Sequence, residues 1–417
     1  MSEKQQGAVA PVAKAPSPAT SALLALDGRR STPTREHAER IARQVERELR
    51  AFGVELCVAG WRGGEIALLS LDDLPKEDPG RVAAPVAPLA TGAIAGPESA
   101  LLPLLREADR RGAAVVALAA LERFEEGGAF IEGLFLPIAE QGFDFVSPAY
   151  YRHPLDGALM TGLVYPLMRA VFGFRLRQPL GGEASIALPL ARRLLDDADW
   201  RRDPAYAGSD AWLVSKVLVG RARICQSWLG PWRAPTPQPE AASHAVERVL
   251  RLVFREVERH VEHWQRVSGS APVPQTGIGP PTPPTHAEPP PEKLIGAFQL
   301  GERELSPIWS LVLPPKTLFA LKRAAAAAPS SFRIGDELWA RIVYDFAVAH
   351  FLKVMEPGPL LRSLTPLYLG WVASFSNEVR SLDVSAAEAR VEVLCEAFER
   401  EKRYLVARWR WPESFVP

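Results

Sequence analysis

Cysteine is scarce: Cys57, Cys225 and Cys395 are the only three in 417 residues, and they stand far apart. Their spacing forms neither a disulfide framework nor a metal-ligand pattern, so a reduced, cytoplasmic setting is expected. Net charge is also missing. Lys plus Arg and Asp plus Glu each number 49, and composition therefore makes no electrostatic case for nucleic acid or an anionic membrane. No apolar run reaches the roughly 20 residues that a spanning helix needs. The longest, Ala158 to Phe174, contains Arg169 and reads as one or two buried helices. The start of the chain lacks a basic, apolar and cleavage-site succession, which argues against secretion. There is no G-x-S-x-G nucleophile turn, no P-loop, no dinucleotide fingerprint and no fixed-period repeat.

What is present is enough apolar sequence for a core: 47% hydrophobic against 24% charged residues. Residues 1–20 are rich in Ala, Pro, Ser and Gln, a composition expected to stay disordered. Residues 21–267 alternate strand and helix signals. A short apolar strand at Ser21 to Asp27 is followed by a helix from the Thr32-Pro33-Thr34 cap through Phe52, then a strand at Val54 to Ala59. A helix at Glu98 to Arg111, a doubly buried strand at Ala113 to Ala120, a helix at Leu134 to Gln141 and a strand at Phe143 to Val146 continue the pattern. These alternations predict an α/β fold with a mostly parallel sheet and flanking helices. A helix over Ala184 to Asp197, another from Gly208 to Gly220, a strand at Arg223 to Leu229 and a helix from Ser243 to Val267 follow. Residues 268–291 are Pro-rich and read as a semi-rigid linker. The rest, 292–417, has helical spacing and predicts a C-terminal helical region.

The centre of the chain is Phe143 to Glu183. A strand stopped by Pro148 gives way to a polar, aromatic loop, Tyr150 to Gly157. After the apolar run comes the turn Gln178-Pro179-Leu180-Gly181-Gly182-Glu183. Paired glycines let the backbone bend sharply or approach a ligand, and a carboxylate stands directly after them. That combination predicts a small-molecule pocket, and in open parallel sheets such a pocket lies beyond the carboxyl ends of the strands.

The series DFVSPAYYRHPLDG, RQPLGGE, GSDAWL, RICQSWLG and RSLTPLYLGWVASFSNE resembles, in order and spacing, bacterial GT-A-fold glycosyltransferases of the glucosylglycerate, mannosylglycerate and glucosyl-phosphoglycerate synthase type. The likeness is strong from Phe143 onward. It implies a nucleotide-diphospho-sugar transferase domain, transfer of a hexose to glycerate, phosphoglycerate or another small polar acceptor, and a homodimer. By the same resemblance, His153, Asp156, Gly157 and Thr161 belong to the acceptor-facing loop. Gly181, Gly182 and Glu183 form the turn beneath the transferred sugar, and Asp210 opens the helix on the other wall. Glu183 and Asp210 would accept sugar hydroxyls and stabilise positive charge at the anomeric carbon.

The donor half departs from that pattern. The family holds Mg2+ or Mn2+ with an Asp-x-Asp motif and a later His, but here the strand reads Val116 to Glu122 with Ala and Leu at the ligand positions. Pro231-Trp232-Arg233 stands where the His belongs. Asp27-Gly28-Arg29-Arg30, Trp61-Arg62-Gly63-Gly64 and Gly96-Pro97-Glu98-Ser99 replace the other donor turns. Glu122 with His244 is one substitute ligand set, and Arg62 or Arg233 could neutralise a diphosphate without metal. Two functions follow: an active hexosyltransferase, or a degenerate homologue serving as a binding or scaffolding module. For single residues ordinary readings compete. His153 alone fits a loop histidine bonded to backbone, Asp210 a first-turn acid, and His260 and His263 a solvated charged face among Glu256, Glu258 and Glu262. Trp371 replaces a basic residue of the relatives.

Overall fold

The computed structural model describes residues 20–27, 33–50, 52–62, 65–76, 99–125, 130–151, 155, 157–231, 239–277 and 291–412. The expected tail, the middle of the Pro-rich stretch, His153, Asp156, Gly28 to Arg30, Gly96 to Glu98, Trp232 and Arg233 lie outside the described residues, as do the side chains of Arg62 and Glu122.

The first half runs β1 (Thr20–Asp27), α1 (Arg35–Glu48), β2 (Phe52–Arg62), β3 (Glu65–Leu69), α2 (Leu101–Arg111), β4 (Val115–Ala120), α3 (Glu122–Glu125), α4 (Ile131–Ala139) and β5 (Phe145–Tyr151). A π-helical turn, Met160–Val164, leads into α5 (Tyr165–Phe172), then β6 (Phe174–Arg175), β7 (Ala184–Ala187), α6 (Leu188–Leu195), α7 (Asp199–Arg202), α8 (Asp210–Val219), β8 (Ile224–Pro231), α9 (Pro239–Arg259) and α10 (Val261–Trp264). The short strands β9 (Ala271–Pro272) and β10 (Gln275–Thr276) precede six helices: α11 (Pro291–Ser310), α12 (Pro315–Ala325), α13 (Asp336–Leu352), α14 (Pro357–Ser363), α15 (Thr365–Val379) and α16 (Val384–Arg410). The fold is therefore mixed α/β, with a mostly parallel sheet and a helical C-terminal region.

The eight-stranded sheet has the order β10-β8-β5-β7-β4-β1-β2-β3. Its strands β1, β2 and β4 are parallel, as are β5, β8 and β10, while β7 runs antiparallel between β4 and β5. Alternation divides the buried residues between two faces. Ala22, Leu24, Leu26, Ala117 and Val146 pack under α1 and α4, whereas Leu23, Ala25 and Val116 pack with Leu104 and Ala108 of α2. A separate and larger core cluster runs through α5, α8 and α9 into the C-terminal helices, joining Phe145, Phe172 and Trp212 to Trp339, Trp371 and Leu394. Each of these fully buried large side chains contributes about 1.5–3 kcal/mol. Of the Pro-rich stretch, β9 pairs with β6 and β10 with β8, so residues 271–276 follow the sheet before α11 begins.

Several expected elements are corrected. Residues 184–187 are not the start of a helix but the strand β7. Pro189 in the first turn of α6 marks the true helix start. Pro148 does not stop β5, which continues to Tyr151, because it lies beyond Val146, the last residue paired to β7. The strand at Val54 extends to Arg62 and pairs antiparallel with β3, Arg62 standing opposite Glu65. In the helical C-terminal region, residues 357–379 form two helices, α14 and α15, with a break between Ser363 and Thr365.

The π-helical turn has a definite cause. Pro166 has no N–H to donate to the carbonyl four residues back, and that carbonyl, Gly162 O, accepts instead from Trp339 Nε1 at 2.7 Å. The apolar run is thereby fastened to α13, and Arg169 within it is buried and paired with Glu392 at 2.6 Å and Glu399 at 2.8 Å on α16.

Candidate functional site

A cavity lies over the sheet face between the starts of α2 and α8 and is closed on one side by the Gly181-Gly182-Glu183 turn. Its floor is the sheet face that carries Val116, Leu118, Phe145 and Ile186, and its polar lining comes from Ser99, Gln178, Glu183 and Asp210. Gly181, Gly182, Glu183 and Asp210, singled out from sequence, thus meet in one cavity.

The glycines are needed where they stand. Gly182 has φ +73°, and a Cβ at Gly181 would lie 2.3 Å from Pro148 Cγ. Both keep the turn pressed against β5. Further bonds hold it from below: Ser147 Oγ donates to Gln178 O at 3.1 Å, while Gln226 Oε1 accepts from Arg177 N at 2.6 Å and its amide donates to Arg175 O at 3.2 Å. Ser147 and Gln226 are almost fully buried. Neither residue was singled out from sequence, since a lone Ser or Gln in a strand gives no signal until the turn folds over it.

On the other wall, Asp210 is the first residue of α8, whose cap is Ser209, with Ser209 Oγ accepting from Trp212 N at 3.2 Å. Ser99 Oγ donates to Gly208 O at 2.6 Å and accepts from Leu101 N at 3.2 Å, tying the start of α2 to the start of α8. Behind them sits an ion cluster. Asp199 receives Trp212 Nε1 at 3.0 Å and pairs with Lys216 at 2.9 Å and Arg259 at 2.6 Å. Burial acts to raise the Asp199 pKa, but Lys216, the indole N–H and Arg259 outweigh it and bring it down to about 2 from 3.8. A depressed carboxylate contributes stability that is present above its unfolded value and lost as pH falls through the folded one. We expect Asp199 to add about 2 kcal/mol at neutral pH, an advantage over Asp199→Asn that shrinks between pH 4 and pH 2. Urea melts of both proteins across that range measure it, and a constant difference would contradict it.

Among the described residues Glu183 is the most enclosed ionisable group of the cavity, 4% exposed against a half-buried Asp210. Its Oε1 accepts from Ala120 N at 3.2 Å and lies 3.7 Å from Arg123 Nε, and its Oε2 accepts from the Tyr150 hydroxyl. Arg123 is itself 7% exposed. Its guanidinium donates to Leu229 O and lies over the rings of Phe130 at 5.0 Å and Tyr150 at 5.3 Å. A buried carboxylate at the ends of β4 and β5 is therefore balanced by a buried arginine. The sequence reading passed over Arg123, which follows directly on Glu122. An arginine after an apolar strand reads as exposed, and only the fold shows Tyr150 and Leu229 closing around it.

Among the described residues the side chains at this strand end do not suit a divalent metal. Val116 to Leu121 supply no side-chain oxygen, and Glu183 faces a guanidinium. No group of three or more His, Cys, Asp or Glu able to hold a metal occurs among the described residues. Burial pushes the thiols of Cys57, Cys225 and Cys395 up to about 12, so none is poised as a nucleophile.

The acceptor-side residues fall elsewhere. Gly157 O accepts from Met160 N at 2.8 Å and Thr161 N at 3.1 Å, so Gly157 opens the π-helical segment. Thr161 is fully buried, and its Oγ1 accepts from Arg177 at 3.4 Å; Arg177 in turn pairs with Glu388 of α16 at 3.3 Å. Neither Gly157 nor Thr161 lines the cavity. Trp371 is buried between Trp339 at 5.8 Å and Phe375 at 5.0 Å, directly over Gly162. The expected solvated face around His260 is corrected as well. Glu256 is fully buried and accepts from Tyr206 and Ser215 hydroxyls, with His260 Nε2 at 3.1 Å.

A scan against models of protein families gives no match, and a search of curated proteins gives none either.

Proposed function

We propose that this chain is a GT-A-like glycosyltransferase-family protein that has left donor-metal chemistry behind and uses the cavity beneath Gly181-Gly182-Glu183 to bind a small hydroxylated ligand. The observation that carries the reading is the Arg123–Glu183 pair. In the family it resembles, a metal held at the end of the fourth strand neutralises the diphosphate of a sugar nucleotide. Here a carboxylate at that strand end, Glu183, is bonded to Ala120 N–H and Tyr150 and balanced by Arg123, whose cation faces Glu183 and Leu229 O. The family's turn and opposite wall remain, with Glu183 and Asp210 lining one cavity. Carboxylates there accept ligand hydroxyls, and the aliphatic floor takes the apolar face of a sugar or polyol.

Calorimetric titration of the full chain tests this directly, with glucose, D-glycerate, UDP-glucose and GDP-mannose, each with and without Mn2+. Binding of glucose or glycerate that is indifferent to Mn2+ is expected, with no gain for either sugar nucleotide on adding the metal. Mn2+-dependent binding of UDP-glucose or GDP-mannose contradicts the reading in favour of an active transferase. If neither glucose nor glycerate binds, the ligand assignment is wrong.

A further inference from the structure

The chain has balanced charge overall, but the balance fails locally. Residues 305–335 contain Lys316, Lys322, Arg323 and Arg333 and not one Asp or Glu. This stretch includes the α11–α12 turn and the whole of α12. Thr317, Leu321 and Ala324 of α12 are buried against the body of the protein. The opposite face carries Lys316, Phe319, Lys322 and Arg323, all exposed, at the three- and four-residue spacing that puts side chains on one side of a helix. Phe319 is 65% exposed and Leu311, in the turn at the N-terminal end of α12, is 63% exposed. These are the two most exposed large hydrophobics among the described residues. Lys316, Lys322 and Arg323 form no ion pair among the described residues, while Arg333 pairs with Glu378 at 3.3 Å.

We infer that the α11–α12 hairpin is a docking surface for an anionic lipid membrane, with Phe319 and Leu311 entering the headgroup region and Lys316, Lys322 and Arg323 contacting lipid phosphates. Charge complementarity selects an anionic partner. The shape selects a lipid surface over a peptide: both apolar side chains project from a helix and its adjoining turn, which suits insertion into a bilayer interface, whereas peptide recognition by apolar contact uses a groove. Basic residues flanking a few inserted apolar ones give reversible association that is strongest at low salt. No described helix is long and apolar enough to cross a membrane, so the mode is peripheral. This inference stands independently of the ligand proposed for the cavity.

The test is sedimentation of the full chain with vesicles of phosphatidylcholine alone and of phosphatidylcholine with about 30% phosphatidylglycerol, a content that gives a negative surface potential. We expect binding only to the anionic vesicles, released by raising the salt from about 0.1 M to about 0.5 M. Leu311→Ser with Phe319→Ser should weaken partition at least about tenfold, and Lys316→Gln with Lys322→Gln and Arg323→Gln should weaken it similarly. All five positions are exposed, so the variants keep the fold, which an unchanged thermal transition verifies. Absence of binding to anionic vesicles at low salt overturns the proposal. So does binding that both variants retain, and so does capture by soluble polyglutamate without capture by vesicles, which would mark an acidic protein partner.

Discussion

Arg123→Ala is expected to destabilise the fold by about 3–5 kcal/mol, the cost of leaving a buried charge without its partner. Glu183 stands 4% exposed between β4 and β5, so the carboxylate left behind cannot reach bulk water. Glu183→Gln should also be costly, because it takes a paired carboxylate away from the buried guanidinium. The double variant removes both charges and keeps one side-chain oxygen for the Ala120 N–H, while its amide NH2 can donate to the Tyr150 hydroxyl oxygen. Its loss should fall short of the sum of the two single losses by about 1–3 kcal/mol. Guanidinium melts of the four proteins at neutral pH measure this coupling. Strict additivity would mean that Arg123 and Glu183 are neighbours without being a pair, and would remove the main support for a metal-free site.

Gly162→Ala should cost about 3 kcal/mol, at the upper end of overpacking penalties. A Cβ there would fall 1.9 Å from Trp371 Cζ3, and Trp371 has no room to retreat between Trp339 and Phe375. Gly162 O is also fixed by Trp339 Nε1. Combining Gly162→Ala with Trp371→Leu makes space for the methyl group, so the combined loss should again be smaller than the sum, read from denaturant midpoints. The outcome bears on more than packing. Trp371 seals α15 against the segment that begins at Gly157. A Gly162→Ala protein of ordinary stability would show that the helical region rests loosely on that segment.

Much of this architecture is legible in local sequence. β1, β4 and β8 are short apolar runs bounded by breakers, and they fold as such. The Gly181-Gly182-Glu183 turn and Asp210 share the cavity because each lies at the end of an element whose position the α/β order dictates. What escaped the sequence is what depends on neighbours distant in the chain. β7 is four residues of Ala, Ser and Ile that become a strand only by filling the gap between β4 and β5. Pro148 sits within β5 because the pairing to β7 has already ended. Glu256 looks like one carboxylate of a charged helical face until Tyr206 and Ser215 close over it. Arg123 reads as an ordinary arginine, although it is buried and pairs with Glu183 of the cavity. The resemblance directed attention to absent metal ligands, whereas the side chain facing Glu183 lies one residue beyond the motif.

The central claim is that no divalent metal is held at Glu183. A titration of Mn2+ into the full chain, in the presence of UDP-glucose and followed by the electron paramagnetic resonance signal of the free ion, tests it most directly. The account predicts the same free-ion signal for the wild-type protein and for Glu183→Gln. A stoichiometric site in the wild-type protein that disappears in Glu183→Gln would contradict it.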